Sequence, residues 1–258
     1  MTWGVKLSDV TIQWPGSKEP VLSQINLDLS FDGSFNRLPI MGRSGTGKST
    51  LMYILAAMKW PDKGQVNWAL PNGDTLEWHG HKQDKMSLAH WHELRSNHFG
   101  FAFQGSTLLP YLTVLQNLTF PLEQKGVSKV ECIERANNAL LDVLIEIEGE
   151  TPNQFVNRYP HELSGGQRQR VALAQAFISS PTVLFADEPT GALDKDTRKE
   201  IMVLLTDWLE KGNGDRALIW VTHHHNDPVD NNASNFLEIN HLGCQLKCVE
   251  TEYANIRS

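Results

Sequence analysis

"LPIMGRSGTGKSTLMYILAAM", residues 38–58, is the stretch on which the fold turns. Four apolar residues lead into a glycine-rich loop, and the loop ends in Lys48-Ser49 at the head of a run of helix formers without Pro or Gly. Gly42, Gly47, Lys48 and Ser49 fit the spacing G-x-x-x-x-G-K-S, and strand, loop, helix is the order that this spacing requires. In such a turn the backbone N–H groups of Arg43, Ser44, Gly45, Thr46 and the residues through Thr50 face an anion at the positive end of a helix. The loop therefore reads as a cradle for the β- and γ-phosphates of a nucleotide. Lys48 is placed to neutralise a transferring phosphoryl group, and the Ser49 hydroxyl to ligate Mg²⁺.

Working outward, "VKLSDVTIQW" alternates at Val5 and Leu7 and again at Val10 and Ile12, and "INLDLSF" alternates as well, so two strands precede the loop. Between Lys63 and Lys85 lies a polar, turn-rich segment that reads as a hairpin around "PNGD". From Met86 to Gln175 the pattern turns mainly helical. "SKVECIERANNALLDVLIEI" puts Val130, Ile133, Leu140, Val143, Leu144 and Ile147 on one stripe, with Ser128 and Glu131 as a capping box. "TVLFADEP" and "ALIWVTH" then return as unbroken apolar runs, as strands buried on both faces of a parallel sheet do. The expected fold is α/β: a P-loop NTPase core whose mixed sheet joins a parallel core to an antiparallel β subdomain, with an inserted α-helical lobe. The expected division is one domain over 1–258, with the core in 1–85 and 176–258 and the lobe in 86–175.

Composition narrows the function. A chain of 258 residues can bury roughly 70–75% of the surface its unfolded form exposes, so it needs no disulfide or metal to fold. A formal net charge of −7 argues against a surface that tracks nucleic-acid phosphates. Cys132, Cys244 and Cys248 are an odd count, which suits a reducing compartment. "MTWGVKLSDV" lacks the charged start and apolar core of a signal peptide, and no apolar run reaches about 18 residues, so the expectation is a cytoplasmic protein that meets a membrane only through a partner.

Two further motifs carry chemistry. Asp187 closes the apolar run "VLFAD", where a carboxylate can hold Mg²⁺ through water, and Glu188 follows it, placed to polarise an attacking water. In "ELSGGQRQRVALAQAF", residues 162–177, Ser164 is a natural N-cap, so Ser164, Gly165, Gly166 and Gln167 open a second helix suited to an anion. One domain with two phosphate receptors makes sense if each receptor serves a different ATP, one chain closing over the ATP held by its partner.

"LSGGQ", with the glycine loop upstream and "LFADEPTGALD" downstream, resembles the ATP-binding-cassette (ABC) ATPases over nearly the whole chain. The resemblance implies a head-to-tail homodimer around two ATPs, Mg²⁺ as cofactor, and a catalytic set of Lys48, Gln104, Glu188 and His223. Trp14 matches the aromatic that stacks on adenine. Gln104 in "FAFQ" matches the glutamine that senses the metal and the attacking water, so the metal set becomes Ser49, Gln104 and Asp187. Asp194 matches the loop that contacts the opposite subunit, and His223 the histidine that contacts the γ-phosphate. Within the family, "LRSNHFGFAFQGSTLLPYLTVLQNLTFPL" and "RYPHELSGGQRQRVALAQAF" are similar to ATPase subunits of lipoprotein-releasing, macrolide-exporting and division-associated complexes. That similarity implies an integral-membrane permease as partner, a periplasmic adaptor as a further candidate, and placement on the inner face of the membrane. A soluble ABC ATPase acting on DNA or the ribosome is the alternative; the chain shows neither long heptad coils nor a second cassette.

Some features lie outside the pattern. Gln175 stands where the family usually has Arg, "FDGSFNRLPIMG" replaces a plainer entry to the loop, and the 63–85 segment is long. "HGH" at 79–81 and "HWH" at 90–92 could offer imidazoles to zinc, though no cysteine lies near. Cys244 and Cys248 read as small strand residues, and Arg168 and Arg170 as a solvated face or a packing surface.

Overall fold

The computed structural model describes residues 3–32, 35–80, 85–103, 107–143, 152–191, 193–240 and 243–253. In chain order these form β1 (Trp3–Ile12), β2 (Leu22–Phe31), β3 (Arg37–Gly42), α1 (Lys48–Leu55), β4 (Lys63–Ala69), β5 (Thr75–His79), α2 (Lys85–His98) and β6 (Phe99–Ala102). There follow α3 (Val114–Gln124), α4 (Lys129–Val143), α5 (Pro152–Val156) and α6 (Gly165–Phe177), then β7 (Val183–Asp187), α7 (Lys195–Glu210), β8 (Ala217–Val221), α8 (Asp227–Asp230), β9 (Asn235–Asn240), β10 (Gly243–Cys248) and α9 (Val249–Tyr253).

The strands make two sheets. One is antiparallel, in the order β2-β1-β4-β5; the other runs β10-β9-β3-β8-β7-β6, parallel except for β10. The expected α/β class with a mixed parallel and antiparallel architecture is what the chain adopts. In β1 the buried residues are Trp3, Val5 and Leu7, then Val10 and Ile12. The slip in the alternation falls at Asp9, whose φ of 52° makes a bulge and whose N–H donates to Asn26 Oδ1 at 2.9 Å. The hairpin expected around "PNGD" is β4–β5, turned at Gly73 (φ 89°) and closed by the Asp74 N–H donating to Asn72 Oδ1 at 3.0 Å. His98 ties this hairpin to the second sheet, with one ring nitrogen 3.1 Å from Asp74 Oδ2 and the other 3.0 Å from Thr182 Oγ1. Trp91 of α2 stacks on Trp60 at 5.4 Å and meets Trp78 of β5 edge-on at 6.4 Å, so aromatic rings join the hairpin to α2.

The stretch expected to be mainly helical holds α2 to α6, as expected, but also β6, which pairs parallel with β7 at the sheet edge; "FGFA" is too short to show a period. One sequence reading is corrected. On α4 the buried face is Cys132, Ala136, Ala139, Leu140 and Val143, while Val130 and Ile133 are exposed. The helix lies against α3 and α6, and small side chains let helices approach closely, so Ala136 and Ala139 face inward in place of Val130 and Ile133, while Leu140 and Val143 are buried as expected. Leu144 and Ile147 lie outside the described residues. The Ser128 hydroxyl does cap α4, accepting from the Glu131 N–H at 3.3 Å.

Candidate nucleotide site

The site is a consequence of strand order. β3, β8 and β7 are parallel neighbours, and their register aligns Ile40 with Val221 and Val221 with Asp187. The chain segments that leave their carboxyl ends are therefore brought side by side: the glycine loop after β3, Asp187-Glu188 after β7, and Thr222-His223 after β8. This edge of a doubly wound sheet is where such folds place ligands.

The loop uses its glycines for backbone conformation. Gly42, Gly45 and Gly47 have φ of 148°, 79° and 99°, and a Cβ at Gly42 would sit 2.3 Å from the Ile239 carbonyl oxygen. Gly47 is the N-cap of α1, so the N-terminus of that helix opens directly under the loop. Lys48, only 7% exposed, spans the loop and donates to the carbonyls of Gly42 and Arg43, both at 3.0 Å. The Thr46 hydroxyl donates to the Arg43 carbonyl at 2.9 Å.

Ser49 Oγ donates to Asp187 Oδ1 at 2.9 Å, joining α1 to the end of β7. Tyr53, one turn further along α1, donates to Oδ2 of the same carboxylate at 2.8 Å. Burial, together with Asp187, pushes the Tyr53 phenol up to about 12, so it remains a donor. Sequence reasoning missed Tyr53; its spacing from Ser49 on a helix starting at Lys48, facing a buried acidic strand end, is the signal that could have found it. A hydroxyl and a carboxylate converging on one point are the hard oxygen donors that suit Mg²⁺.

Glu188 leaves β7 with φ 46°, an uncommon conformation for a side-chain-bearing residue, and its N–H donates to the Val221 carbonyl at 3.2 Å. Glu188 Oε1 lies 3.3 Å from His223 Nδ1. The adjacent His224 ring sits 4.6 Å from that of His223. Burial, and then the positive charge of Arg198, hold the His224 imidazole below its ordinary value.

Ser164 caps α6, accepting from the Gln167 N–H at 3.2 Å while Gln167 Oε1 accepts from the Ser164 N–H at 2.9 Å. A Cβ at Gly165 would meet nothing within 4 Å, and Gly165 has no positive φ. A Cβ at Gly166 would touch Thr197 Cγ2 at 3.5 Å, ordinary contact. Within this chain, then, neither position requires glycine. Gln169 anchors the helix to the glycine-loop side of the molecule, donating to the Pro189 carbonyl at 3.0 Å. Asp194 caps α7, accepting from the N–H groups of Asp196 and Thr197 and from the Thr197 hydroxyl, which holds its carboxyl below the usual range.

Trp14 stands just past the end of β1, 42% exposed, with Lys59 Nζ 4.1 Å from its ring centre. Gln104 lies outside the described residues. Gln175 donates to the Asn117 carbonyl at 2.7 Å and accepts from the Thr107 hydroxyl at 3.3 Å, so an amide serves here as a tie between α6 and α3. Arg168 and Arg170 are not a solvated face: Arg168 donates to the Leu163 carbonyl at 2.6 Å, and Arg170 pairs with Glu200 of α7. His79 pairs with Glu77 at 3.0 Å; His81 and the side chain of His90 lie outside the described residues. Cys244 and Cys248 sit on β10, and burial pushes the Cys244 thiol up to about 12. Among the described residues no helix is long and apolar enough to cross a membrane.

The family model described as "ABC transporter" matches residues 22–191. The lipoprotein-releasing system ATP-binding protein LolD of Aquifex aeolicus is 36% identical over 79% of this chain and 80% of its own length. The macrolide export ATP-binding/permease protein MacB of Marinobacter nauticus is 37% identical over 85% of this chain and 31% of its own length. Among solved structures, a dimeric ATP-binding cassette in a post-hydrolysis state with ADP and Pi superposes with a TM-score of 0.75, at 30% identity, over 95% of this chain and 99% of that one.

Proposed function

This chain belongs to the ABC transporter family as an ATP-binding, ATP-hydrolysing subunit, and on that premise we propose that two copies close head to tail around two ATPs and drive export or extraction of a substrate through an integral-membrane permease. One observation carries the reading: Ser49 meets Asp187 at 2.9 Å and Glu188, the next residue, meets His223 at 3.3 Å, all at the sheet edge that carries the loop of Lys48.

The roles follow from the positions. Backbone N–H groups of the 43–50 loop and Lys48 bind the β- and γ-phosphates, and Trp14 stacks on adenine. Ser49, Asp187 and Gln104 hold Mg²⁺, which when bound supplies charge neutralisation at the phosphates. Glu188, turned out of β7, accepts a proton from the attacking water, and His223 donates to the γ-phosphate at the moment its charge shifts. Ser164, Gly165, Gly166 and Gln167 meet the γ-phosphate of the partner's ATP, with Asp194 at the same interface. The open space at Gly165 supports this, because a glycine that its own chain does not need suits close approach from outside.

The permease docks at the cleft of about 640 Å³ between α2, β6, α3 and α6, lined by Arg95, Phe101, Phe103, Thr107, Lys125 and Gln175. With the cleft goes the lobe we assign to 86–175, inserted in a core of 1–85 and 176–258 to which β6 adds an edge strand. On this reading the chain works at the inner face of a membrane. The named transport proteins among its relatives disfavour the alternative of a machine acting on DNA or the ribosome. A tagged chain recovered from detergent-solubilised native membranes should bring down a stoichiometric integral-membrane protein, with a periplasmic adaptor as the further candidate. Recovery only with ribosomal or DNA-bound proteins would overturn the transport reading.

A further inference from the structure

The segment that carries His223 is held from three sides. Asp227, 2% exposed, accepts the Thr222 hydroxyl and pairs with Arg198 of α7. Thr222 Oγ1 accepts in turn from the His224 N–H at 3.1 Å. The third hold comes from the far end of the chain. Tyr253, the last residue of α9 and 8% exposed, donates its hydroxyl to the His225 carbonyl, two residues past His223.

Tyr253 reaches that carbonyl from a small apolar cluster of its own with Met41, Phe236 and Val249. Its ring meets the His225 imidazole at 5.0 Å and Phe236 at 6.1 Å, and its oxygen is 3.9 Å from Met41 Sδ. One phenol thus touches both the residue that precedes Gly42 and the segment that carries His223. A cavity of about 800 Å³, bordered by Arg43, Ser44, His223 and Tyr253, opens beside them. Burial raises the phenol's pKa, so the group stays a donor. A thioether is a weak acceptor, so the His225 carbonyl is the strong partner for the hydroxyl.

We propose that Tyr253 is a positioning residue for ATP hydrolysis, holding the His225 carbonyl and through it the direction in which the His223 side chain meets Glu188 and the γ-phosphate. The inference rests on the reading of His223 as the γ-phosphate contact. The physical case lies in how His223 is held: its side chain is half exposed and touches Glu188 at 3.3 Å and the His224 ring, so the backbone on either side sets its aim. Thr222 fixes that backbone before the residue, and Tyr253 fixes it after.

The test uses the full chain with Tyr253→Phe, which keeps the ring and removes the hydroxyl. Single-turnover hydrolysis should slow by roughly three- to tenfold, the worth of one hydrogen bond realised at the transition state. KM for ATP and the melting temperature should hold near wild type. In a His223→Ala background the same substitution should add nothing, because both act through one imidazole. Met41→Leu removes the hydroxyl's other neighbour and should leave the rate unchanged. A normal rate for Tyr253→Phe beside a crippled His223→Ala overturns the proposal alone. So do equal losses in both backgrounds, or a Met41→Leu defect matching that of Tyr253→Phe, since either means that the tyrosine acts by packing. If His223→Ala itself hydrolyses normally, the γ-phosphate reading falls and takes this inference with it.

Discussion

Tyr53 and Ser49 share one carboxylate: Tyr53 donates to Asp187 Oδ2 at 2.8 Å while Ser49 donates to Oδ1 at 2.9 Å. Asp187 is thereby fixed about its side-chain axis before any metal arrives. Tyr53→Phe frees one oxygen, and partners of metal-holding groups typically matter by about tenfold or more in metal affinity. The expected outcome is a several-fold rise in the Mg²⁺ concentration needed for half-maximal hydrolysis, with a parallel loss in Mn²⁺ binding followed by electron paramagnetic resonance. ATP binding without metal should stay unchanged. Identical Mn²⁺ titrations for both proteins would mean that Tyr53 only packs against β7.

If Glu188 takes the proton of the attacking water, as proposed, Glu188→Gln should bind ATP normally and lose about two to four decades in turnover, the scale of a missing general base. Because ATP would bind without being consumed, the variant should accumulate as an ATP-dependent dimer in light scattering. Near-normal phosphate release would move the base to another residue.

His224 predicts a pH dependence with a definite sign. Burial, first, and then the Arg198 cation depress its folded pKa, against opposing effects of Asp227 and Glu188. The unfolded chain then binds a proton at about pH 6.5 while the folded chain resists it, so stability falls as pH drops from there toward the folded pKa. His224→Gln removes this contribution. Its melting temperature should decline less than that of wild type over the same acid range, and parallel declines would refute the assignment.

The elements legible in the sequence were those with strong local chemistry. The glycine loop, "VLFAD" and "ALIWV" each state their structure in a few residues, because positive φ needs glycine and a strand buried on both faces needs an unbroken apolar run. β6 was hidden because four residues carry no period, and it is a strand only through its pairing with β7. The inward face of α4 was misjudged because hydrophobicity alone favours Val130 and Ile133, whereas close approach to α6 favours Ala136 and Ala139. The site showed the same division. Lys48, Ser49, Asp187 and Glu188 are motif residues, but Tyr53 and Tyr253 act through contacts made 134 and 28 positions away in the chain, which no local pattern records.

The open space at Gly165 leads to the most direct test of assembly. Gly165→Asp should fold, since a side chain there meets nothing within 4 Å in its own chain, yet it places a negative group where the partner's γ-phosphate is expected. Lys48→Ala should fold as well and weaken phosphate binding in its own loop. If each site takes its loop from one chain and Gly165 from the other, mixing the two variants builds dimers in which one site carries both lesions and the other carries none. Such dimers should occlude one ATP apiece, although neither parent occludes any. If loop and Gly165 of one chain served the same ATP, every site in the mixture would keep a single lesion and no occluded nucleotide would appear, which would exclude the head-to-tail arrangement.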